Sequence, residues 1–493
     1  MKQLKVLPLV AIISGLMVGC GGGGGGGGGG ASKTQLSFTF VKAQEQSIQT
    51  SCKVFSRKYE EVENGNTTDV NSSLLVAYPI KNALDSQLSI IFSDDKGILD
   101  EESRKFVSNG KVNFYFEDVP VGGYVTITER VGFDTYATSY SQKFLLQNKK
   151  VLKDIILTAV SPLPTDSCLT GASPKVEDRN SLKYINSEDI LDDDAAVLPY
   201  YFISSIETET SNNPQTNSQT DFQALDSDVT MIAQYRNSTP ASLFQYGFED
   251  WKSGEIEMRY TGEDEPIRRN STLSFGSVEI GVSYREQLKT LAKIDSSKNV
   301  FYHPESLSTH EVWFATSEAQ VINESSGWNA TLNVPIDSSW QLTLDESDLF
   351  NVSTLSTAKP TLANNANGTL SIELSNNISI NDSVKGIQRV ALRPSRDAVD
   401  TKLHVIYSLP KDTVVVPNIE RISAGDLTAY ELKQDFWFTS DKNVLNAQYV
   451  MDTFHATALS GVDKDAHGLI IDEVTRDEAK SEASQLRSLH LVR

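Results

Sequence analysis

Short runs of alternating apolar and polar residues, broken by turn residues, dominate the chain from about residue 35 onward. Leu36-Ser37-Phe38-Thr39-Phe40 has the period of two expected of a half-buried strand. Leu88-Ser89-Ile90-Ile91-Phe92 ends on Ser93-Asp94-Asp95-Lys96-Gly97, a turn signal. Asn109-Gly110 then precedes Val112, Phe114 and Phe116, which share one face, and Val119-Pro120 interrupts the run. Gly122-Gly123 turns the chain into a further alternating strand over residues 124–129, and residues 152–157 supply a closing strand. Together these predict a small β-sandwich over residues 35–170.

The same periodicity continues beyond it. Val278, Ile280, Val282 and Tyr284 share one face, as do Leu370, Ile372 and Leu374, which lead through Ser375-Asn376-Asn377 to Ile378 and Ile380 as a hairpin. Val414, Val415 and Val416 read as a buried strand stopped by Pro417, and Phe436-Trp437-Phe438 as the aromatic centre of another. There is no self-similarity at a period of 20 to 50 residues, which speaks against a propeller or solenoid. Near the end, Thr475 and Glu478 form a capping-box pattern that starts a polar helix. Its sparse apolar residues, Leu486, Leu489 and Val492, predict a helix that docks loosely. The expected fold is mainly β: an N-terminal sandwich (35–170), an acidic linker (171–195), a larger β-rich, sandwich-like region of one or two domains (196–470), and a C-terminal helix or tail (471–493).

Composition narrows the function. The 493 residues carry 44 basic and 65 acidic side chains, a formal net charge of −21. Phosphate binding requires a basic stripe, so this balance argues against a nucleic-acid partner. Chemistry-bearing motifs are sparse. Gly-x-Ser-x-Gly and His-Glu-x-x-His are absent, and the histidines (His303, His310, His404, His455, His467 and His490) are scattered. His404, between Leu403 and Val405, falls opposite the apolar face, at solvent or a rim. No catalytic residue, metal ligand set or cofactor is assigned, and the reading is of a non-enzymatic protein. Two acidic stretches invite a calcium reading: Asp189 with Asp192, Asp193 and Asp194, and the loop opening at Asp463-Lys464-Asp465. The first reads more simply as a solvated linker, and the second has Val474 where a bidentate Glu belongs.

The richest cluster is Tyr246, Phe248, Glu249, Asp250, Trp251, Glu255 and Glu257. Rings that stack on pyranose faces beside acids that accept hydroxyl protons suit a glycan, with Tyr246, Trp251, Glu249 and Asp250 as contact residues. Two carboxylates at the right separation would hydrolyse a glycosidic bond. A sandwich edge with solvated acids gives the same pattern, and the sequence leaves these readings open.

The amino end reads as an address. Lys2 and Lys5 precede an apolar stretch over residues 6–18, which is too short for a membrane span and of the length of a secretory core. It closes on Leu16-Met17-Val18-Gly19-Cys20, which resembles the lipobox of bacterial lipoproteins, with Met17 where Leu is usual. The resemblance implies that residues 1–19 are a signal peptide and that Cys20 is acylated, an anchor that several acyl chains make effectively permanent. Gly21, rather than Asp, follows that cysteine, which implies sorting to the outer membrane. Gly21 to Gly30 is an unbroken run of ten glycines. Ordering glycine costs the most backbone entropy, so residues 20–34 are expected to form a flexible tether, about 20 Å from end to end. Polyglycine after a lipobox is similar to surface lipoproteins of Gram-negative bacteria, including polar-flagellum sheath lipoproteins. That resemblance implies a structural or adhesive surface component, with other surface or sheath proteins or glycans as partners.

With Cys20 acylated, Cys52 and Cys168 remain as an even pair in an oxidising compartment, which predicts a disulfide between them. The run Phe114-x-Phe116-x-x-Val119-Pro120, followed after Gly122-Gly123 by Tyr124-x-x-Ile127-x-Glu129, is similar to the signature hairpin of transthyretin-like and Cna-B-type sandwich domains. In those families the module is a rigid spacer or adhesive stalk.

Overall fold

The computed structural model describes residues 33–47, 51–64, 67–81, 87–160, 164–171, 183–186, 200–204, 215–216, 221–224, 229–239, 242–250, 259–285, 287–305, 310–320, 327–355, 360–374, 384–394, 402–419, 430–440, 446–457 and 466–493. Cys20, both acidic calcium candidates (189–194 and 463–465) and most of the expected tether and linker lie outside these residues, although within the linker Lys183–Asn186 is a strand paired with Asp221–Ala224. The expected hairpin partner at Ile378 and Ile380 lies outside them too.

The fold is mainly β, with short helices at Gln142–Asn148, Ala447–Thr457 and Glu473–Ser484. Its organising element is a sheet of 12 strands among the described residues. In spatial order these are Gln287–Asp295, Ser274–Tyr284, Glu311–Gln320, Asn329–Ile336, Ser488–Val492, Tyr430–Thr439, Lys385–Pro394, Lys402–Ser408, Asp134–Ser141, Tyr124–Val131, Ser89–Ser93 and Leu99–Phe106. The sheet runs through the expected boundary near residue 170, so the first segment does not close on itself. The joint is the pairing of Lys402–Ser408 with Asp134–Ser141, which is parallel while the sheet's other pairs are antiparallel.

Both faces of this sheet are covered. On one side lies a five-stranded sheet in which Gln35–Ser47 pairs with Thr67–Pro79, Lys111–Tyr115 and, in parallel, Asp154–Thr158. Leu36, Phe38 and Phe40 point from it into a core shared with Ile90, Ile127, Tyr140 and Val405. Helix Ala447–Thr457 contributes Val450, Met451 and Phe454 to that core. On the other side lie a seven-stranded sheet that includes Val229–Tyr235, Leu243–Asp250 and Arg259–Arg269, and a three-stranded sheet of Thr361–Asn364, Leu370–Glu373 and Thr413–Val416. The second core joins Val278, Ile280 and Val282 to Met231, Trp313, Ile372, Val414 and Phe436. Alternation in the strands therefore sorts residues between two buried layers: Phe436 and Phe438 enter one, Trp437 packs against the other.

The turn signals act as the chain chemistry dictates. Asn109 (φ 51°) and Gly110 (φ 72°) both take the left-handed conformation between Ser108 and Lys111, which exchange both backbone hydrogen bonds. That is the two-residue hairpin turn matched to the twist of its strands. The doubled glycine after Pro120 is required by contact. A Cβ on Gly123 would lie 2.0 Å from the Ser93 carbonyl oxygen.

The C-terminal segment differs from the expectation. The helix over Glu473–Ser484 is capped by Asp472, whose carboxylate accepts from Thr475 N at 3.0 Å, so Thr475 is inside the helix and not its cap. It is firmly docked: Ser481 Oγ lies 2.6 Å from Ser283 Oγ, and Asn333 Nδ2 donates to the Leu486 carbonyl at 2.7 Å. Residues 488–492 are not a fraying tail but a strand between Asn329–Ile336 and Tyr430–Thr439, with Leu489 and Leu491 fully buried. The helix pins one face of the sheet while the strand completes its middle.

Candidate functional site

The aromatic and acidic cluster read from the sequence divides. Glu249 and Asp250 end the strand Leu243–Asp250, paired opposite Thr230 and Val229. Trp251, Glu255 and Glu257 lie outside the described residues. Tyr246 is fully buried, so it faces the core and not a ligand.

Its partner was hidden in the sequence. Glu311, whose side chain is fully buried, accepts from the Tyr246 hydroxyl at 2.8 Å and from Trp313 Nε1 at 3.4 Å, and Arg259 donates to its other oxygen. A buried carboxylate is tolerated only when paired and hydrogen-bonded, and here three donors meet that need. Burial, followed by the neighbouring Glu311 charge, pushes the Tyr246 phenol far above its ordinary value. It stays protonated and donating. Trp313 is its neighbour on the strand, but nothing in the run His310-Glu311-Val312-Trp313 announces burial, since the other two donors come from strands 52 and 65 residues away.

Rings extend from this centre in two directions. Phe248 packs on Tyr246 and stacks on Tyr284 at 4.5 Å, and Tyr284 meets the exposed His310 edge-on. On the other side Trp313 meets Trp340, which stacks on His303 at 4.7 Å. Trp340 holds φ at 53°, an uncommon conformation for a bulky residue. Phe248, Tyr284, His303 and Trp340 are half-buried. The arrangement offers ring faces at its two ends around an acid whose oxygens are already engaged, which suits stacking better than proton transfer.

Cys52 and Cys168 form a disulfide with Cα atoms 5.5 Å apart, next to the backbone bond from Lys53 N to the Leu169 carbonyl at 2.7 Å. The bond ties the entry of strand Val54–Asn64 to the segment that leaves the first sheet. Among the described residues no helix is long and apolar enough to cross a membrane. The chain matches no protein-family model and no curated protein.

Proposed function

We propose that the chain is a non-enzymatic lipoprotein of the outer membrane, acylated at Cys20 and displayed at the cell surface as a structural or adhesive component, with the flagellar sheath as one such setting. The observation that best supports this reading is where the expected tether ends. The first strand, Gln35–Ser47, is an interior strand, hydrogen-bonded to Thr67–Pro79 on one side and to Lys111–Tyr115 and Asp154–Thr158 on the other. A pull on the tether would load bonds on both edges of that strand together instead of peeling an edge, as a surface anchor requires.

The test is fractionation of cells that carry Cys20→Ser beside immunogold labelling of intact cells with the unaltered chain. Release of the variant to soluble fractions and gold on the cell or filament surface are expected. Membrane retention of the variant, or label confined to the periplasm, overturns the reading.

The half-buried rings favour a second reading, a surface lipoprotein that binds glycans or proteins. It predicts lower retention on immobilised polysaccharide for Trp251→Ala and for Trp340→Ala. Unchanged retention of both dismisses it.

A further inference from the structure

Charge is unevenly placed in this chain. Against a net −21, the stretch from Thr135 to Lys153 holds four lysines, Lys143, Lys149, Lys150 and Lys153, and no Asp or Glu. The helix Gln142–Asn148 and the turn after it present these lysines outward. Phe144, Leu145 and Leu152 enter the core, whereas Lys143, Leu146, Gln147 and Lys150 share the opposite face and are exposed. Leu146 is 49% exposed and Val151 37%, so the face mixes cations with apolar side chains. None of the four lysines is ion-paired among the described residues. Of the acids that border the face, Glu117 accepts from Thr34 N at 3.0 Å, Asp118 pairs with Lys105 at 3.0 Å, and Asp154 follows Lys153. Burial, then the charge of Lys143, lowers the Lys411 ammonium to about 8, so cations are already crowded here.

This face stands where the chain arrives from Cys20. Ser37 N donates to the Lys153 carbonyl at 2.8 Å, and Lys33 sits over the Tyr115 ring. The first strand, Gln35–Ser47, and the strand that follows Lys153, Asp154–Thr158, run parallel, so both begin at this end of the molecule. Cys20 precedes Lys33 by 13 residues. Even fully extended, such a length spans only about 45 Å. A lipid layer that holds acyl chains on Cys20 therefore lies within reach of the four lysines, and the tether delivers this end of the body to it first.

We propose that this face docks on the anionic phospholipid headgroups of the layer in which Cys20 is anchored, an inference that rests on the acylation proposed above. The lysines meet headgroup phosphates, and Leu146 and Val151 enter the interfacial region. Relief of the repulsion among the cations favours the contact, and the acidic remainder of the body is turned away from the layer. The tether makes docking intramolecular, so a face of modest affinity is enough to set the orientation.

The test couples the chain from Cys20 onward, which keeps every described residue, through the Cys20 thiol to maleimide lipid. The vesicles are of phosphatidylcholine alone or of equal parts phosphatidylcholine and phosphatidylglycerol. Mass spectrometry follows acetylation of each lysine by a neutral succinimidyl ester. With phosphatidylglycerol present, Lys143, Lys149, Lys150 and Lys153 should react about fivefold more slowly, the advantage a cation gains at an anionic surface. Lys298, exposed beyond the far edge strand Gln287–Asp295, should not change. Salt at about 1 M, where screening shortens to about 3 Å, should erase the difference. The paired variant Lys149→Glu and Lys150→Glu lies on the surface and should return Lys143 and Lys153 to their phosphatidylcholine rates. The proposal is overturned by equal rates on the two vesicles, by equal slowing of Lys298, or by slowing that survives the paired variant. Slowing that follows protein density and not phosphatidylglycerol assigns the face to a second copy and overturns it as well. Chemical coupling keeps the two readings apart: membrane retention of Cys20→Ser in cells counts against the anchor, and equal lysine rates on vesicles count against the docking face.

Discussion

His467 reaches back 338 residues to place its Nε2 3.2 Å from the carboxylate of Glu129, and neither side chain has any exposed surface. Its other nitrogen meets Thr138 Oγ1 at 3.1 Å, and Glu129 also accepts from Val160 N at 2.8 Å. This contact fastens the segment between the last two helices to the first sheets of the chain. Removing the imidazole by His467→Ala takes one partner from a fully buried acid that keeps Val160 N, and should cost about 1–3 kcal/mol of stability. Glu129→Gln keeps a hydrogen-bonding group in place and should cost less. Denaturant midpoints of the two variants check the order, and equal losses would contradict it.

Acid should weaken the fold through His404. Its folded pKa, about 3, lies below the ordinary histidine value of 6.5. Between those values the unfolded chain binds the extra proton, so stability falls as pH drops through that window and is unaffected by this group above it. The slope would approach 1.4 kcal/mol per pH unit. Denaturation curves at pH 7, 6 and 5 should show a steeper loss for the unaltered chain than for His404→Phe. Parallel curves would remove His404 as the cause.

The terminal strand carries more than its length suggests. Leu489→Ala should cost about 3 kcal/mol, as for other fully buried leucines. Deletion of residues 488–493 leaves Asn329–Ile336 and Tyr430–Thr439 without their shared neighbour. That deletion should abolish cooperative unfolding, followed by circular dichroism, and a synthetic peptide of the deleted sequence should restore part of it. A truncated chain that melts like the full one would show the strand to be dispensable.

Reduction of the Cys52–Cys168 bridge opens a loop that spans 116 residues. On the chain-entropy account this destabilises by about 4–5 kcal/mol. The paired Cys52→Ser and Cys168→Ser variant should lower the thermal midpoint, and a reductant should bring the unaltered chain to the same value. A reductant without effect would show that the bridge contributes little.

What the sequence conveyed and what it concealed have physical causes. Strand alternation, the Asn109-Gly110 turn and the paired cysteines are local or arithmetic signals, and the structure contains each. A polar residue between Leu403 and Val405 normally faces water, which predicts His404 at solvent or a rim. In a sheet covered on both sides that rule fails: the opposite face is a second interior that also buries Gln388, while the first buries Arg389 with Asp435. The last strand is disguised because Leu486, Leu489 and Val492 fall three residues apart, a spacing that mimics a helix face. Glu311 is hidden for another reason: two of its three donors, Tyr246 and Arg259, are distant in the chain, and no local pattern announces a convergence of that kind. Tyr246 stands out in the sequence as a ligand contact, but its hydroxyl is committed to that acid.

The position of Ser488–Val492 bears on how the molecule is made. These residues follow both of their neighbours in the chain, yet they sit in the middle of the widest layer. Until they are in place, the two flanking strands present open rims. Assembly of this half of the protein therefore waits for a late segment, and a chain cut short before it would strand a product prone to aggregate.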